Sequence, residues 1–229
     1  MRAPVISVIV MALNEVNSIE AVVREIDSVL GTLTVPFEIL VVDDGSLDGT
    51  EQIADRLVEQ LPNVRVVHHG INKGLGAVYR TGFTQTQGKF VTFFPADGQF
   101  PATIIPQFVS AMDTADMVLG YVAIHQRSLL EKGFSLAERI LYRILFGPLP
   151  KFQGVLMFRR ALLDEIELAS TGRGWAVLME LIIRASRARY RIVNVLTDMR
   201  PRRSGSSKVK NFSTIWDNLK QMIVLTRHL

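Results

Sequence analysis

The feature that most constrains this chain is the regular alternation, over residues 1–95, of short β-branched runs with stretches apolar at helical spacing. Val5–Val10 reads as a buried strand, and Asn17-x-x-Glu20 as a helix start with a carboxylate at its third position. Ile19, Val22, Val23, Ile26, Val29 and Leu30 follow at the helical period. Glu38–Asp43 is the next strand. Asp48-x-x-Glu51 opens a helix carrying Ile53, Ala54, Leu57, Val58 and Leu61, and Pro62 stops it. Val64–Val67, a helical stretch after Gly74 and Gly76 to about Thr86, and Phe90–Phe94 complete the series. The order β-α-β-α-β predicts an α/β fold: a Rossmann-like, mostly parallel sheet with helices on both faces. Ligands of such sheets bind beyond the carboxyl ends of the strands. The residues to inspect are therefore Asn14 and Glu15, Asp43 and Asp44, and Asp97 and Gln99.

Composition narrows the chemistry. The chain has no cysteine, which excludes disulfides, zinc-thiolate sites and cysteine nucleophiles. Hydrophobic residues are 48% and charged residues 21%, enough for a packed core and against disorder over most of the length. No apolar run reaches the roughly 18 residues of a membrane span. The run Val5–Leu13 lacks the flanks of a signal peptide, so a cytoplasmic location is expected. The net charge of +4 gathers late, in Arg200, Arg202, Arg203, Lys208 and Lys210. Such a cluster suits phosphates or anionic lipid headgroups, and equally a solvated basic loop. It is short and lacks interleaved aromatics, so nucleic acid is not an expected partner.

The second half is less regular. Leu136, Ile140, Leu141, Ile144 and Leu145 form a helical stripe ended by Gly147-Pro148. Leu178–Ala188 reads as helix and Ile192–Leu196 as strand. Phe212, Ile215, Trp216, Leu219, Met222 and Ile223 form a last amphipathic helix. Both stripes suit core packing or membrane contact. The expected division is one domain over 1–210 and an amphipathic helix over 211–229.

Three segments carry chemistry. Asp43-Asp44-Gly45-Ser46 directly follows a strand, where carboxylates can accept hydrogen bonds from a ribose or a base, while Asp48 and Gly49 read as turn and cap chemistry. Ala96-Asp97-Gly98-Gln99 offers one carboxylate and one amide oxygen to a divalent cation, or is simply a turn. Arg202-Arg203-Ser204-Gly205-Ser206-Ser207-Lys208 places donors for phosphate oxygens among small residues.

Taken in order, Ala12-x-Asn14-Glu15, Val41-Val42-Asp43-Asp44-Gly45-Ser46-x-Asp48-Gly49-Thr50, Asn72-x-Gly74-x-Gly76-Ala77, Ala96-Asp97-Gly98-Gln99 and Arg202-x-x-Gly205-x-Ser207-Lys208 resemble the family 2 inverting glycosyltransferases of the GT-A fold. The last element points to the branch that glycosylates polyprenyl phosphates, typified by dolichol-phosphate mannose synthase. The resemblance implies a nucleotide-sugar donor (GDP- or UDP-sugar), a polyprenyl phosphate acceptor, and peripheral attachment to the cytoplasmic membrane face, where a membrane-protein partner would fit. Ala12, Glu15, Asp43, Asp44, Gly74 and Ala96 would line the donor pocket. Asp97 and Gln99 would hold Mg²⁺ or Mn²⁺. Arg202, Ser207 and Lys208 would close over phosphate, with Asp97, Arg202 and Lys208 serving catalysis, and Glu180 would lie toward the acceptor. The family's arginine shortly after Gly120-Tyr121 is Val122 here, and Arg127 is its candidate replacement. The metal motif's first aspartate is Pro95, which removes one carboxylate and weakens the expected site. A soluble acceptor, or a catalytically weak regulatory subunit retaining the fold, are the alternatives.

Overall fold

The structure, a computed structural model, describes residues 3–122, 143–201, 220–221 and 223–226. In chain order the elements are β1 (Ile6–Ala12), α1 (Ile19–Gly31), β2 (Phe37–Asp43), α2 (Thr50–Gln60), β3 (Val64–His68), α3 (Leu75–Gln85) and β4 (Phe90–Pro95). There follow a short 3₁₀ turn (Ala102–Ile104), α4 (Ile105–Ala111), β5 (Met117–Val122), β6 (Leu156–Arg159), a helical turn (Leu162–Glu165), α5 (Ala176–Arg187) and β7 (Ile192–Thr197).

The strands form one seven-stranded sheet in the order β3-β2-β1-β4-β6-β5-β7. All run parallel except β6, which is antiparallel to both β4 and β5. Alternation along each strand divides the side chains between two cores, as a sheet covered on both faces requires. Val8, Val10, Ile39, Val41 and Phe94 meet α1, α2 and α4 through Val23, Ile26, Leu57 and Phe108. Ile9, Leu40, Val42, Val91 and Phe93 face the other way, onto Val78, Tyr79 and Phe83 of α3 and Leu178, Leu181 and Ile182 of α5.

The strands and helices of residues 1–95 lie where the periodicity puts them, with two differences at helix starts. Helix α1 begins at Ile19, and Ser18 caps it with no side-chain bond, its hydroxyl being turned to Glu15. Helix α2 begins at Thr50 after a left-handed Gly49, so Asp48 stands just outside it. Strands β5 and β6 and helix α4 were not anticipated. Of the Leu136–Leu145 stripe, only residues 143–145 are described; they are helical with Phe146, and Gly147 follows with φ +82. Most of the C-terminal amphipathic helix lies outside the described residues.

Besides the β4–β6 pairing, the two halves of the chain meet where α3 begins. The Gly76 N–H donates to the Arg173 carbonyl at 2.9 Å. A Cβ on Gly76 would run into the Gly172 carbonyl oxygen, and one on Gly74 (φ +90) into the Arg173 backbone. The glycine pair is thus a keyed backbone contact. Gly76→Ala must push two main-chain segments apart, and we expect it to cost about 1–3 kcal/mol, the range for overpacking. Urea unfolding should show a lower midpoint at unchanged slope.

Candidate active site at the carboxyl rim

The register of the central strands aligns their carboxyl ends. Ala12 pairs with Asp43, Asp43 with His68, and Met11 with Pro95. The Asp44 N–H donates to the Ala12 carbonyl and the Ala96 N–H to the Met11 carbonyl, each at 2.9 Å. The segments that begin at Leu13, Asp44, His69 and Ala96 therefore all leave the sheet at one rim.

The Asp-Asp-Gly-Ser-x-Asp-Gly-Thr segment proves to be a set of stitches to the loop after β1. The Asn14 N–H donates to Ser46 Oγ, the Glu15 N–H to Thr50 Oγ1 and the Val16 N–H to Asp48 Oδ2, at 2.8, 2.8 and 3.1 Å. In return the Leu47 N–H donates to Asn14 Oδ1 at 2.8 Å. The Ser46 hydroxyl donates in turn to Asp43 Oδ1. Asn14 is held at φ 49, a left-handed conformation that asparagine tolerates better than most residues. The sequence signal for this network is the run of short oxygen-bearing side chains at 46, 48 and 50. Their partners, more than thirty positions away, were not readable from it.

Asp44 clamps the loop between β3 and α3. Its Oδ1 accepts from the Lys73 N–H at 2.9 Å and contacts His69 Nδ1 at 2.8 Å, and its Oδ2 accepts from the Gly74 N–H at 2.8 Å. Asp44 and His69 are both buried, and His69 Nε2 reaches Thr81 Oγ1 at 2.8 Å. Gly45 (φ +74) admits this loop, because a Cβ there would strike the Ile71 and Asn72 backbone. Asp43 Oδ2 contacts His68 Nδ1 at 3.1 Å, and His68 Nε2 faces Asp55 Oδ1 at 3.2 Å. Burial alone would lower the His68 pKa, but hydrogen bonds to Asp43 and Asp55 outweigh it and raise it above the usual 6.5. Ligand atoms of His68, Asp55 and Glu51 lie within 4.8 Å of one another. Both carboxylates in that group are exposed and lie on α2, away from the Asp97 turn in sequence and strand order.

At the end of β4 the chain turns through Gly98 (φ 73), and the Gln99 N–H donates to Asp97 Oδ1 at 3.0 Å. Asp97 is 5% exposed. The chain that leads into the basic loop arrives at this turn: the Arg200 N–H donates to the Gln99 carbonyl at 2.7 Å. Arg200 Nη1 also reaches both Glu25 carboxylate oxygens at 3.0 Å. Arg127, Arg202, Ser207 and Lys208 lie outside the described residues.

Glu180, on α5, is completely buried. Its carboxylate accepts from the Ala169 and Ser170 N–H groups at 3.0 and 2.8 Å and from Arg184 Nε at 2.8 Å. Burial alone would raise this carboxyl, but the Ala169 and Ser170 bonds and Arg184 hold it below the usual range. Arg80 donates to the Ser170 and Thr171 carbonyls, and Arg173 to the Asn72 carbonyl and Oδ1. Glu180 thus anchors the 169–175 loop, which is keyed to the loop that Asp44 holds.

The residues at the end of β4 fit a divalent cation in a reduced form. Pro95 contributes no side-chain oxygen, and the oxygens of Asp43 and Asp44 are engaged by Ser46, His68, His69 and two backbone N–H groups. Asp97 and Gln99 are the side chains this turn can offer. Magnesium sites need only one or two protein carboxylates when substrate phosphates and water complete the shell.

With this geometry established, comparison with known proteins assigns the chain. Residues 7–167 match the family described as Glycosyl transferase family 2, and the chain belongs to that family. It is 29% identical over 232 residues to a dolichol-phosphate mannosyltransferase of Pyrococcus furiosus, covering 97% of this chain and 64% of that one. It is also 29% identical over 185 residues to an undecaprenyl-phosphate mannosyltransferase of Micrococcus luteus, covering 75% of each. The chain thus spans slightly less than two thirds of the archaeal relative. Among solved structures, glucosyl-3-phosphoglycerate synthase of Mycobacterium tuberculosis with Mn²⁺ and UDP-glucose superposes with TM-score 0.72 at 23% identity, covering 98% of this chain and 79% of that one. The fold is the expected GT-A arrangement.

The His68 ion pairs give a pH test. A raised folded pKa means that this coupling stabilises the fold below pH 6.5 and is lost as pH rises through the folded value. We expect the His68 ring, followed by NMR, to titrate above 6.5 and to move down in Asp55→Asn. The stability difference between that variant and wild type should be larger at pH 5.5 than at 8.5.

Proposed function

We propose that this chain is an inverting glycosyltransferase that moves a sugar from a GDP- or UDP-sugar to the phosphate of a polyprenyl phosphate. One observation carries the reading: the Arg200 to Gln99 backbone bond roots the basic loop at the Asp97 turn. This supports a reading in which a carboxylate site for the donor's diphosphate and cationic donors for phosphate oxygens serve one rim. The names of the archaeal and actinobacterial relatives, both polyprenyl-phosphate mannosyltransferases, agree with this acceptor.

On this reading Ala12, Glu15, Asp43, Asp44, Gly74 and Ala96 shape the nucleoside end of the cleft. The contribution of Asp43 and Asp44 is largely to fix its walls. Asp97 and Gln99 would hold Mg²⁺ or Mn²⁺, which when bound neutralises charge on the departing diphosphate. Arg202, Ser207 and Lys208 supply donors to phosphate oxygens, with Arg127 as a further cation. Glu180 acts through the loop it anchors. The acceptor's phosphate, whose second pKa is about 6, is ionised at neutral pH. One of its oxygens forms the new bond to the anomeric carbon. The bond from that carbon to the diphosphate oxygen breaks, its electron pair leaves with the nucleoside diphosphate, and configuration inverts. No proton moves, so no general base is required; an alcohol acceptor would need one.

We also propose that residues 1–210 form the transferase domain and 211–229 an amphipathic helix that lies on the membrane surface. No helix among the described residues is long and apolar enough to cross a bilayer. A soluble phosphorylated acceptor is the second reading, suggested by the glucosyl-3-phosphoglycerate synthase neighbour.

The deciding experiment incubates the protein with GDP-mannose or UDP-glucose, Mn²⁺, and either undecaprenyl phosphate in vesicles or 3-phosphoglycerate. Sugar is expected on the lipid phosphate. Transfer to the soluble acid alone would replace the first reading with the second, and no transfer to either would favour the regulatory alternative. Lys208→Ala should lower lipid-linked product on the order of a hundredfold, in the range for one lost transition-state donor, with donor hydrolysis less affected. Pro95→Asp restores a second carboxylate and should lower the Mn²⁺ concentration for half-maximal activity about tenfold, equivalent to about 1.4 kcal/mol. An unchanged Mn²⁺ requirement would remove Asp97 and Gln99 from the metal site.

A further inference from the structure

Glu25 is a helix residue that no sequence motif singles out, yet it ties together two segments at the rim. It projects from α1, and its Oε1 accepts the Ala102 N–H at 3.1 Å. That N–H opens the 3₁₀ turn Ala102–Ile104, where a first-turn donor has no partner within the helix. Both Glu25 oxygens also accept from Arg200 Nη1 at 3.0 Å. The Arg200 N–H closes the circuit on the Gln99 carbonyl at 2.7 Å. The path from Glu25 through Arg200, Gln99, Phe100 and Pro101 to Ala102 and back to Glu25 is therefore a closed ring of covalent and hydrogen bonds. One side of that ring is the turn carrying Asp97 and Gln99, and the other is the chain entering the basic loop.

Stability does not account for this arrangement. The Glu25 and Arg200 side chains are 24% and 42% exposed, and ion pairs that open to solvent add little to folding. What the ring fixes is direction. Pro201 follows Arg200, and a residue before proline is confined to extended backbone. With the Arg200 head group and backbone both tethered, the exit vector of the chain toward Arg202 is set relative to Asp97. Anchoring the root of a segment that must gather around phosphate also reduces the conformational entropy lost when it does so.

We propose that Glu25 is a positioning residue for sugar transfer: through Arg200 it holds the root of the basic loop in register with the Asp97-Gln99 turn. This rests on the transferase reading above. It adds a residue that acts through Arg200.

The test combines amide exchange with kinetics in Glu25→Gln, Arg200→Gln and the double variant, using the full chain. In Glu25→Gln the Arg200 amide should exchange on the order of tenfold faster, because a tethered backbone bond becomes a locally opening one. With UDP-glucose or GDP-mannose and undecaprenyl phosphate, kcat should fall about tenfold, as expected for a mispositioned group, while donor KM and nucleotide-binding stoichiometry stay at wild-type values. The double variant should be no worse than either single one, because both remove the same tether. Glu25→Asp should recover part of kcat. Arg200 exchange unchanged in Glu25→Gln would overturn the tether while leaving the transferase reading intact. So would kcat and nucleotide binding falling together, since that marks a general loss of structure. If wild-type protein transfers sugar to no acceptor, the transferase reading fails and the positioning role falls with it.

Discussion

The rim of this sheet is organised by the need to bury carboxylates without leaving them unpaired. Asp43 and Asp44 are almost inaccessible to solvent, and an unpartnered charge there would be costly. Asp44 meets the requirement with two backbone N–H groups and His69, and Asp43 with Ser46 and His68. Apart from His68, which ends β3, each partner belongs to a loop that would otherwise be free to choose its path. The cost of burying the charges is thereby converted into loop order. Ser46, Asp48 and Thr50 extend the same logic to the first loop by taking successive N–H groups from Asn14, Glu15 and Val16.

This view revises what an acidic motif at a strand end signifies. A pair of aspartates after a strand suggests direct recognition of a ligand. Here most of their hydrogen-bonding capacity goes to the protein, and the walls they hold are what a nucleotide would meet. Glu180 shows the same behaviour on α5, where a carboxylate expected near the acceptor holds the 169–175 loop. Asp97 accepts from the N–H two residues on, the bond of a simple turn. Pro95 beside it caps the strand with a residue that has no N–H and no ligand.

The sequence was most informative where one physical rule acts alone. Strands β1 to β4 and helices α1 to α3 follow from periodicity, because both faces of the sheet are covered and each helix has one apolar side. Strand β5 escaped because Gly120 interrupts it, lying so close to Val155 that a Cβ would collide with the carbonyl. Strand β6 escaped because four residues are too few to display a period. The rim positions of Asp43, Asp44 and Asp97 were legible as residues that follow strands. The partners of Asn14 and Glu25 were not, because those bonds join segments distant in sequence and depend on the tertiary path. The close approach of residues 172–174 to Gly74 and Gly76, which excludes a side chain at both, was likewise not legible.

The reversed strand β6 has a consequence for how such a scaffold can diversify. Because β5 runs toward the carboxyl rim and β6 runs away from it, β5 ends and β6 begins at the same edge of the sheet, with residues 123–155 between them in sequence. That excursion can be lengthened, shortened or rewritten without altering strand order or register elsewhere. This connection can thus vary as an exchangeable insert, while the half of the sheet bound by its network of buried acids has little freedom to change.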